Sequence, residues 1–258
     1  MSLASIERFK HAGTPMARLL LDRADKANAL SVALARSLTE AATELAGDDD
    51  LRAVVLTGAG DRVFCAGADV NELAALDSEA ARDLITGFHQ AIAAVRAIPV
   101  PVVARIQGPC IGAGLELVAG ADLRLCTASA VFSMPEVRIG IPSVIEAALL
   151  PRLMGPARAG WLVLTGDAID ATRAEAWGLV EHVAPDLPAL DAAVDGLLDA
   201  FAAAGPAAVR TQKRLMRTWE ESSLGHSIAE SIDAFAAAFE GDEASRLLSQ
   251  ALAARKRG

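Results

Sequence analysis

The chain has 258 residues, 53% hydrophobic and 22% charged, with a formal net charge of −9. That is enough apolar material for one large core or a core with an appendage, and the negative balance argues against nucleic acid or anionic lipid as the main partner. Three cysteines, an odd number with no Cys-x-x-Cys spacing, argue against a disulfide framework or a zinc site and for buried thiols in a reduced compartment, the cytoplasm.

Residues 5–10 and 16–21 read as two strands joined by the turn His11-Ala12-Gly13-Thr14-Pro15. Glu7, Arg8 and Lys10 leave no room for a leader's apolar segment. Residues 22–30 form a polar loop. Ser31 then caps a helix to Ala46, with Ala35, Leu38, Ala42 and Leu45 on one face. Residues 52–57 are a buried strand. The small-residue stretch 58–70 is either a surface loop with a cap or a second set of backbone N–H groups that a ligand can approach. It opens a helix at Asp69, where an acidic residue suits the N-terminus. Residues 78–97 are a long helix.

The central feature comes next. Residues 101–106 read as a buried strand, followed by Gly108-Pro109-Cys110-Ile111-Gly112-Ala113-Gly114 and a helix through Leu117. A Gly-rich turn into a helix leaves N–H groups free to stabilise negative charge. Glu116 sits inside that helix among apolar neighbours, where a carboxylate is costly unless paired or used, and where its pKa rises. Two readings stay open. Either the glycines permit close packing and Glu116 caps its own helix, or the Ala113 N–H is half of an oxyanion hole and Glu116 is catalytic. The segment is not a dinucleotide fingerprint, since Leu117 stands where a third glycine belongs, and no Gly-Lys-Ser/Thr phosphate loop occurs.

Residues 122–126 and Val131–Ser133 are short strands. Glu136 lies on a turn before a helix that Ser143 caps; taken alone it reads as a solvated loop residue. Glu146 follows on that helix, facing either solvent or the same cleft. From residue 158 the pattern is helical, with a short helix stopped by Gly178, a strand, and four helices at 188–204, 206–220, 222–239 and 242–256. The early alternation of strand and helix predicts an α/β core with parallel pairing, residues 1–187, and the later run a helical region, residues 188–258. That region, poor in aromatics, packs on the core or on another subunit. His11, His89, His182 and His226 are scattered singly and read as surface or packing residues, and no metal motif or Gly-x-Ser-x-Gly elbow is present. Arg255-Lys256-Arg257 reads as a solvated tail. The apolar stretch 98–123 is too interrupted by Pro, Gly, Arg105 and Glu116 to span a membrane.

Asp25-Lys26-Ala27-Asn28-Ala29-Leu30, Phe64-Cys65-Ala66-Gly67-Ala68-Asp69 and Gly112-Ala113-Gly114-Leu115-Glu116-Leu117 resemble, in order and spacing, the enoyl-CoA hydratase/isomerase (crotonase) superfamily. Met134-Pro135-Glu136, Gly140-Ile141-Pro142, Leu164-Thr165-Gly166 and residues 174–180 extend the resemblance over essentially the whole chain. It implies a spiral of β-β-α units with a C-terminal helical region used in a homotrimer or a dimer of trimers. It implies an acyl-CoA thioester as ligand, with CoA part of the substrate and no separate cofactor or metal. Lys26, Ala27 and Ala29 would meet the adenine end and Ala66, Asp69 and Val70 the other side, with Gly112 and Glu146 as further substrate-binding candidates, Glu146 as a third carboxylate in the cleft. The Ala68 and Ala113 N–H groups would hold the thioester oxygen, and each such donor contributes on the order of 3 kcal/mol to enolate-like states.

Hydratases in the family hold two glutamates, matched here by Glu116 and Glu136 on different elements; Glu116 would activate the water that adds at Cβ and Glu136 would protonate Cα. The resemblance therefore implies reversible hydration of a trans-2-enoyl-CoA. An isomerase needs only a carboxylate at Glu136. The resemblance also admits a non-catalytic acyl-CoA binder or an RNA-associated member, the latter disfavoured by the net charge of −9. After Pro142 many hydratases continue with glycines, whereas this chain continues Ser143-Val144-Ile145-Glu146, so its acyl pocket has a floor of its own.

Overall fold

The computed structural model describes residues 3–255, so the basic tail read at residues 256–257 lies outside the described residues. β1 (Ala4–His11) and β2 (Thr14–Leu21) form an antiparallel hairpin with Ala4 opposite Leu21. A 3₁₀ turn at Ala24–Lys26 interrupts the loop that the sequence suggested there. α1 (Val32–Ala46) begins as expected, with the Ser31 hydroxyl accepting from the Leu34 N–H.

β3 (Val54–Gly58) is buried along its whole length. That explains its unbroken apolar run, since a parallel strand covered on both faces has no reason to alternate. α2 (Val70–Leu73) is a single turn, and α3 (Ser78–Ala97) is capped by Asp77. β4 (Val102–Ile106), β5 (Cys110–Ile111) and α4 (Ala113–Ala119) follow, then β6 (Leu123–Thr127) and β7 (Val131–Ser133). Two 3₁₀ segments, Pro135–Ile139 and Ile145–Leu149, come before α5 (Leu150–Met154) and α6 (Pro156–Thr165). β8 (Ile169–Asp170), α7 (Ala171–Trp177) and β9 (His182–Ala184) complete the layered part. α8 (Leu187–Ala203), α9 (Pro206–Glu221), α10 (Leu224–Ala237) and α11 (Glu243–Arg255) end the chain.

The strands make a six-stranded sheet in the order β1-β2-β3-β4-β6-β9, parallel from β2 onward, and a three-stranded sheet β5-β7-β8. Successive turns of chain repeat one scheme. β4 enters the large sheet, β5 the small sheet, and α4 packs against both; β6 and β7 repeat the step. An isolated parallel bridge from Cys65 to Cys110 carries the scheme back to the turn after β3. This is a spiral of β-β-α units, and the mixed α/β expectation holds. The two-residue strands β5 and β8 carry too few residues for any periodicity, so the sequence reading missed them.

One face of the large sheet packs on α1, α3 and α4, with Leu34, Leu38, Phe88, Ile92 and Leu117 all essentially inaccessible. The other face packs on α8 through Met16, Val55, Val103, Leu190 and Leu198. Each such Leu contributes about 2 kcal/mol by burial. α9 is held to the core by Lys213, whose Nζ lies 2.6 Å from Asp122 Oδ2 and donates to Val100 O at 2.8 Å. Removing one partner of so buried a pair costs about 3–5 kcal/mol, so this contact pins the helical region. No single helix among the described residues is long and apolar enough to cross a membrane.

Candidate active site

The site forms where three loops meet backbone to backbone. The Ala66 N–H donates to Ala27 O at 3.0 Å, the Leu30 N–H to Gly67 O at 2.7 Å, and the Ile111 N–H to Cys65 O at 3.0 Å. Small residues make this approach possible. A Cβ on Gly67, whose φ is +94°, would come within 3.1 Å of Ile111 O and 3.9 Å of the Ala113 nitrogen. The Ala68 and Ala113 amides thus emerge side by side. Among the described residues neither donates to a backbone or side-chain acceptor. Two free N–H groups, one of them at the first position of α4, form a pocket suited to an oxygen that gathers negative charge.

Buried polar side chains hold the loops in place. Asn28 donates to Ala59 O and Val63 O at 3.0 and 3.1 Å, and its Oδ1 accepts from the Arg23 N–H. Gln107 Nε2 donates to Gly58 O at 2.8 Å and Val63 O at 2.9 Å. The Arg23 guanidinium bridges Ala29 O and Asp69 Oδ2, the latter at 2.7 Å. That contact, first among several, holds the Asp69 carboxyl below its ordinary range. Asp69 also accepts from the Asn71 N–H at the start of α2, so its carboxylate is committed to the scaffold. Arg23, Asn28 and Gln107 escaped the sequence reading; the signal available was a long or amide side chain amid small and apolar neighbours.

Glu116 lies in the first turn of α4 and is 3% exposed. Burial pushes its pKa up to about 8, the charges of Glu136 and Glu146 push the same way, and the Val144 and Ala147 amides oppose them. The Val144 and Ala147 amides that act on its carboxylate belong to the second 3₁₀ segment and its entry, not to the N-terminus of its own helix. Glu136 sits half-buried on the first 3₁₀ segment, its Oε1 so close to Gly112 that a Cβ there would lie 2.3 Å from it. Its Oε2 accepts the Ser143 hydroxyl at 2.9 Å. Ser143 does not cap a helix as the sequence suggested. Pro142 and Ser143 stay outside any helix, which frees the hydroxyl for the carboxylate. Glu146 is on a 3₁₀ segment and not a regular helix, and at 7% exposed it is turned in from solvent, with His89 Nδ1 at 2.8 Å from its Oε1. His89, read as a surface or packing residue, does lie at the surface with its side chain 54% exposed, and its ring also holds Glu146.

The remaining sequence candidates lie around this centre. Lys26 is exposed, Ala27 and Ala29 are half-buried, and Ala66 and Val70 are exposed beside the bridge to Ala27. Among the described residues no three His, Cys, Asp or Glu side chains converge as metal ligands do. The arrangement offers two free amides, two carboxylates in mutual electrostatic contact, and a third carboxylate behind them. It can hold a polarised carbonyl and move protons beside it.

A family model described as enoyl-CoA hydratase/isomerase matches residues 12–252. YngF of Bacillus subtilis, which carries the same hydratase/isomerase description, is 36% identical over 215 residues, 83% of this chain and 82% of that protein. A carnitinyl-CoA dehydratase of Proteus mirabilis is 33% identical over 208 residues, 80% of this chain and 78% of that protein. The crystal structure of an enoyl-CoA hydratase from Mycobacterium smegmatis matches with a TM-score of 0.92 and 30% identity, covering 98% of this chain and 96% of that one.

Proposed function

Since the chain belongs to the enoyl-CoA hydratase/isomerase family, we propose that it catalyses the reversible addition of water to a trans-2-enoyl-CoA, giving the 3-hydroxyacyl-CoA. The observation that carries this reading is the placement of Glu116 and Glu136, from different elements, beside the paired free amides of Ala68 and Ala113. The Ala68 and Ala113 N–H groups hold the thioester oxygen. The water oxygen bonds to Cβ and its proton passes to Glu116. The electron pair of the double bond moves onto the thioester oxygen, and the Glu136 carboxyl then delivers a proton to Cα. The glutamates exchange protons with solvent to reset, and elimination runs the same steps backward. CoA enters as part of the substrate, along the Lys26–Ala29 loop and past Ala66, Asp69 and Val70, with Gly112 beside the Glu136 carboxylate.

The test is incubation of the pure protein with crotonyl-CoA and longer 2-enoyl-CoAs while following loss of the conjugated thioester absorbance. Saturable loss supports the reading. No loss with any chain length, or turnover of only 3-enoyl-CoAs that survives Glu116→Gln, replaces it with an isomerase or a binder.

A homotrimer belongs to the same reading. Leu224, Ile228, Ile232, Phe235 and Phe239 recur at helical spacing on and just beyond α10, and all are more than half exposed. Such a stripe suits burial against another copy. Sedimentation equilibrium is expected to give three or six chains, and a monomer at micromolar concentration would contradict it. The three buried free thiols, Cys65, Cys110 and Cys126, suit a reducing compartment such as the cytoplasm.

A further inference from the structure

Glu146 belongs to two places at once. It is flanked by the Val144 and Ala147 amides that interact with Glu116, so it stands directly behind the reacting carboxylates. It also lines a separate cleft of about 410 Å³, walled by His89 and Ala93 of α3, Ile145 and Leu149 of the 3₁₀ segment, and Arg217 of α9. Glu146 thus stands between Glu116 on one side and this cleft on the other.

The chemistry of this wall is unusual for an alkyl chain. Glu146 is 7% exposed, and its Oε1 is taken by His89. Its Oε2 is buried with no hydrogen-bond partner. A buried carboxylate oxygen without a donor is one that a ligand can satisfy. Arg217 Nε, on the same wall, is another buried polar atom without a partner among the described residues. The backbone is drawn into the feature too. Ile145 has φ of +41°, a conformation that β-branched residues rarely adopt, and it turns the chain immediately before Glu146.

We propose that Glu146, steadied by His89, is the polar end of the acyl pocket and selects acyl chains that carry a hydrogen-bond donor, a hydroxyl or an ammonium group, beyond the reacting double bond. This deepens the acyl-CoA reading above and rests on it. A plain alkyl chain would leave the buried Oε2 without a donor. A hydroxylated chain of the same length supplies the missing donor. Sites built to bond a ligand hydroxyl discriminate against the analogue that lacks it far more strongly than apolar pockets discriminate by size. His89 is a positioning residue in this scheme: it fixes Oε1, and so leaves Oε2 as the free atom.

The experiment uses saturated thioesters, which bind without reacting. Hexanoyl-CoA is compared by calorimetry with its 4-, 5- and 6-hydroxy derivatives and with 6-aminohexanoyl-CoA. At least one donor-bearing chain is expected to bind about tenfold or more tighter than hexanoyl-CoA. Glu146→Leu is expected to abolish or invert that preference, read as the ratio of the two affinities within the same variant, and Glu146→Gln, closer in shape, to weaken the preference for the ammonium chain most. His89→Ala should reduce the preference without inverting it. Equal or weaker binding of every donor-bearing chain by the native protein overturns the proposal, as does a preference that survives both Glu146 variants. CoA thioesters bound without discrimination sink this inference alone. Discrimination without any enoyl-CoA turnover supports it and sinks only the hydration chemistry. Failure to bind any CoA thioester overturns both.

Discussion

Glu116→Gln is expected to lower kcat for enoyl-CoA hydration by a factor on the order of 10³, with little change in KM. The substitution keeps shape and burial but removes the group proposed to accept the proton of water. The native enzyme carries a pH signature of the same residue. With its pKa pushed up to about 8, Glu116 holds a proton at neutral pH in the empty site. A base must be ionised, so kcat/KM should climb as pH rises toward 8 and level off above it. That apparent value belongs to the coupled carboxylates as a set. The ascending limb should vanish in Glu116→Gln. A limb that descends through the same region instead would make Glu116 the acid and overturn the assignment of roles.

Stability reads the same group independently of turnover. Its pKa is raised in the folded protein from an ordinary 4.5 to about 8, so the folded state binds more protons than the unfolded chain between those values. Stability tied to Glu116 is therefore fully present below 4.5, falls as pH rises, and is gone above about 8. The penalty for the buried ionised form is on the order of a few kcal/mol. In urea unfolding, Glu116→Gln and the native protein should be similar at low pH, with the variant gaining steadily toward high pH. A difference that does not move with pH would contradict a buried, proton-holding Glu116.

The second large effect is expected from one methyl group. Gly112→Ala would place Cβ 2.3 Å from Glu136 Oε1, at a residue with φ of +51°. The carboxylate must swing away, breaking its bond with Ser143, and the Ala113 amide next in the chain must turn with the strained backbone. Loss of alignment in both proton transfer and oxyanion binding is expected to reduce kcat/KM by about 10² or more. Strain alone, about 1–3 kcal/mol, is controlled by Gly155→Ala. That glycine has φ of +83° but nothing within 4 Å of the added Cβ, and it stands at the start of α6 away from the carboxylates. Similar losses of stability with activity lost only in Gly112→Ala support the geometry. Equal activities in the two variants would show that Glu136 does not stand where the structure has it.

Much of this chain is legible residue by residue because local rules suffice. Ser31 announces α1 and the residues 78–97 announce α3, since capping and helical periodicity are properties of neighbours along the chain. The Gly-rich entry to α4 and the unfavourable position of Glu116 follow equally from adjacent residues. Those neighbours alone make an anion site beside a carboxylate a reasonable expectation. The ordered set of short motifs carries the family and the spiral fold.

Other features depend on residues distant in sequence, and no local rule reaches them. Glu136 looks like a solvated loop residue until Gly112 and Ser143 close around it. Whether Glu146 faces solvent or cleft is undecided along the chain, because the answer lies in His89, 57 residues away on another helix. The same holds for Arg23 and Asp69, which join two loops through a contact spanning 46 residues. Sequence alone determined which groups are costly to bury and where the backbone would expose its amides. Only the tertiary structure decided which of those groups share one low-dielectric cleft, because pKa, pairing and substrate fit are set by what lies within a few ångströms and not by what lies nearby along the chain.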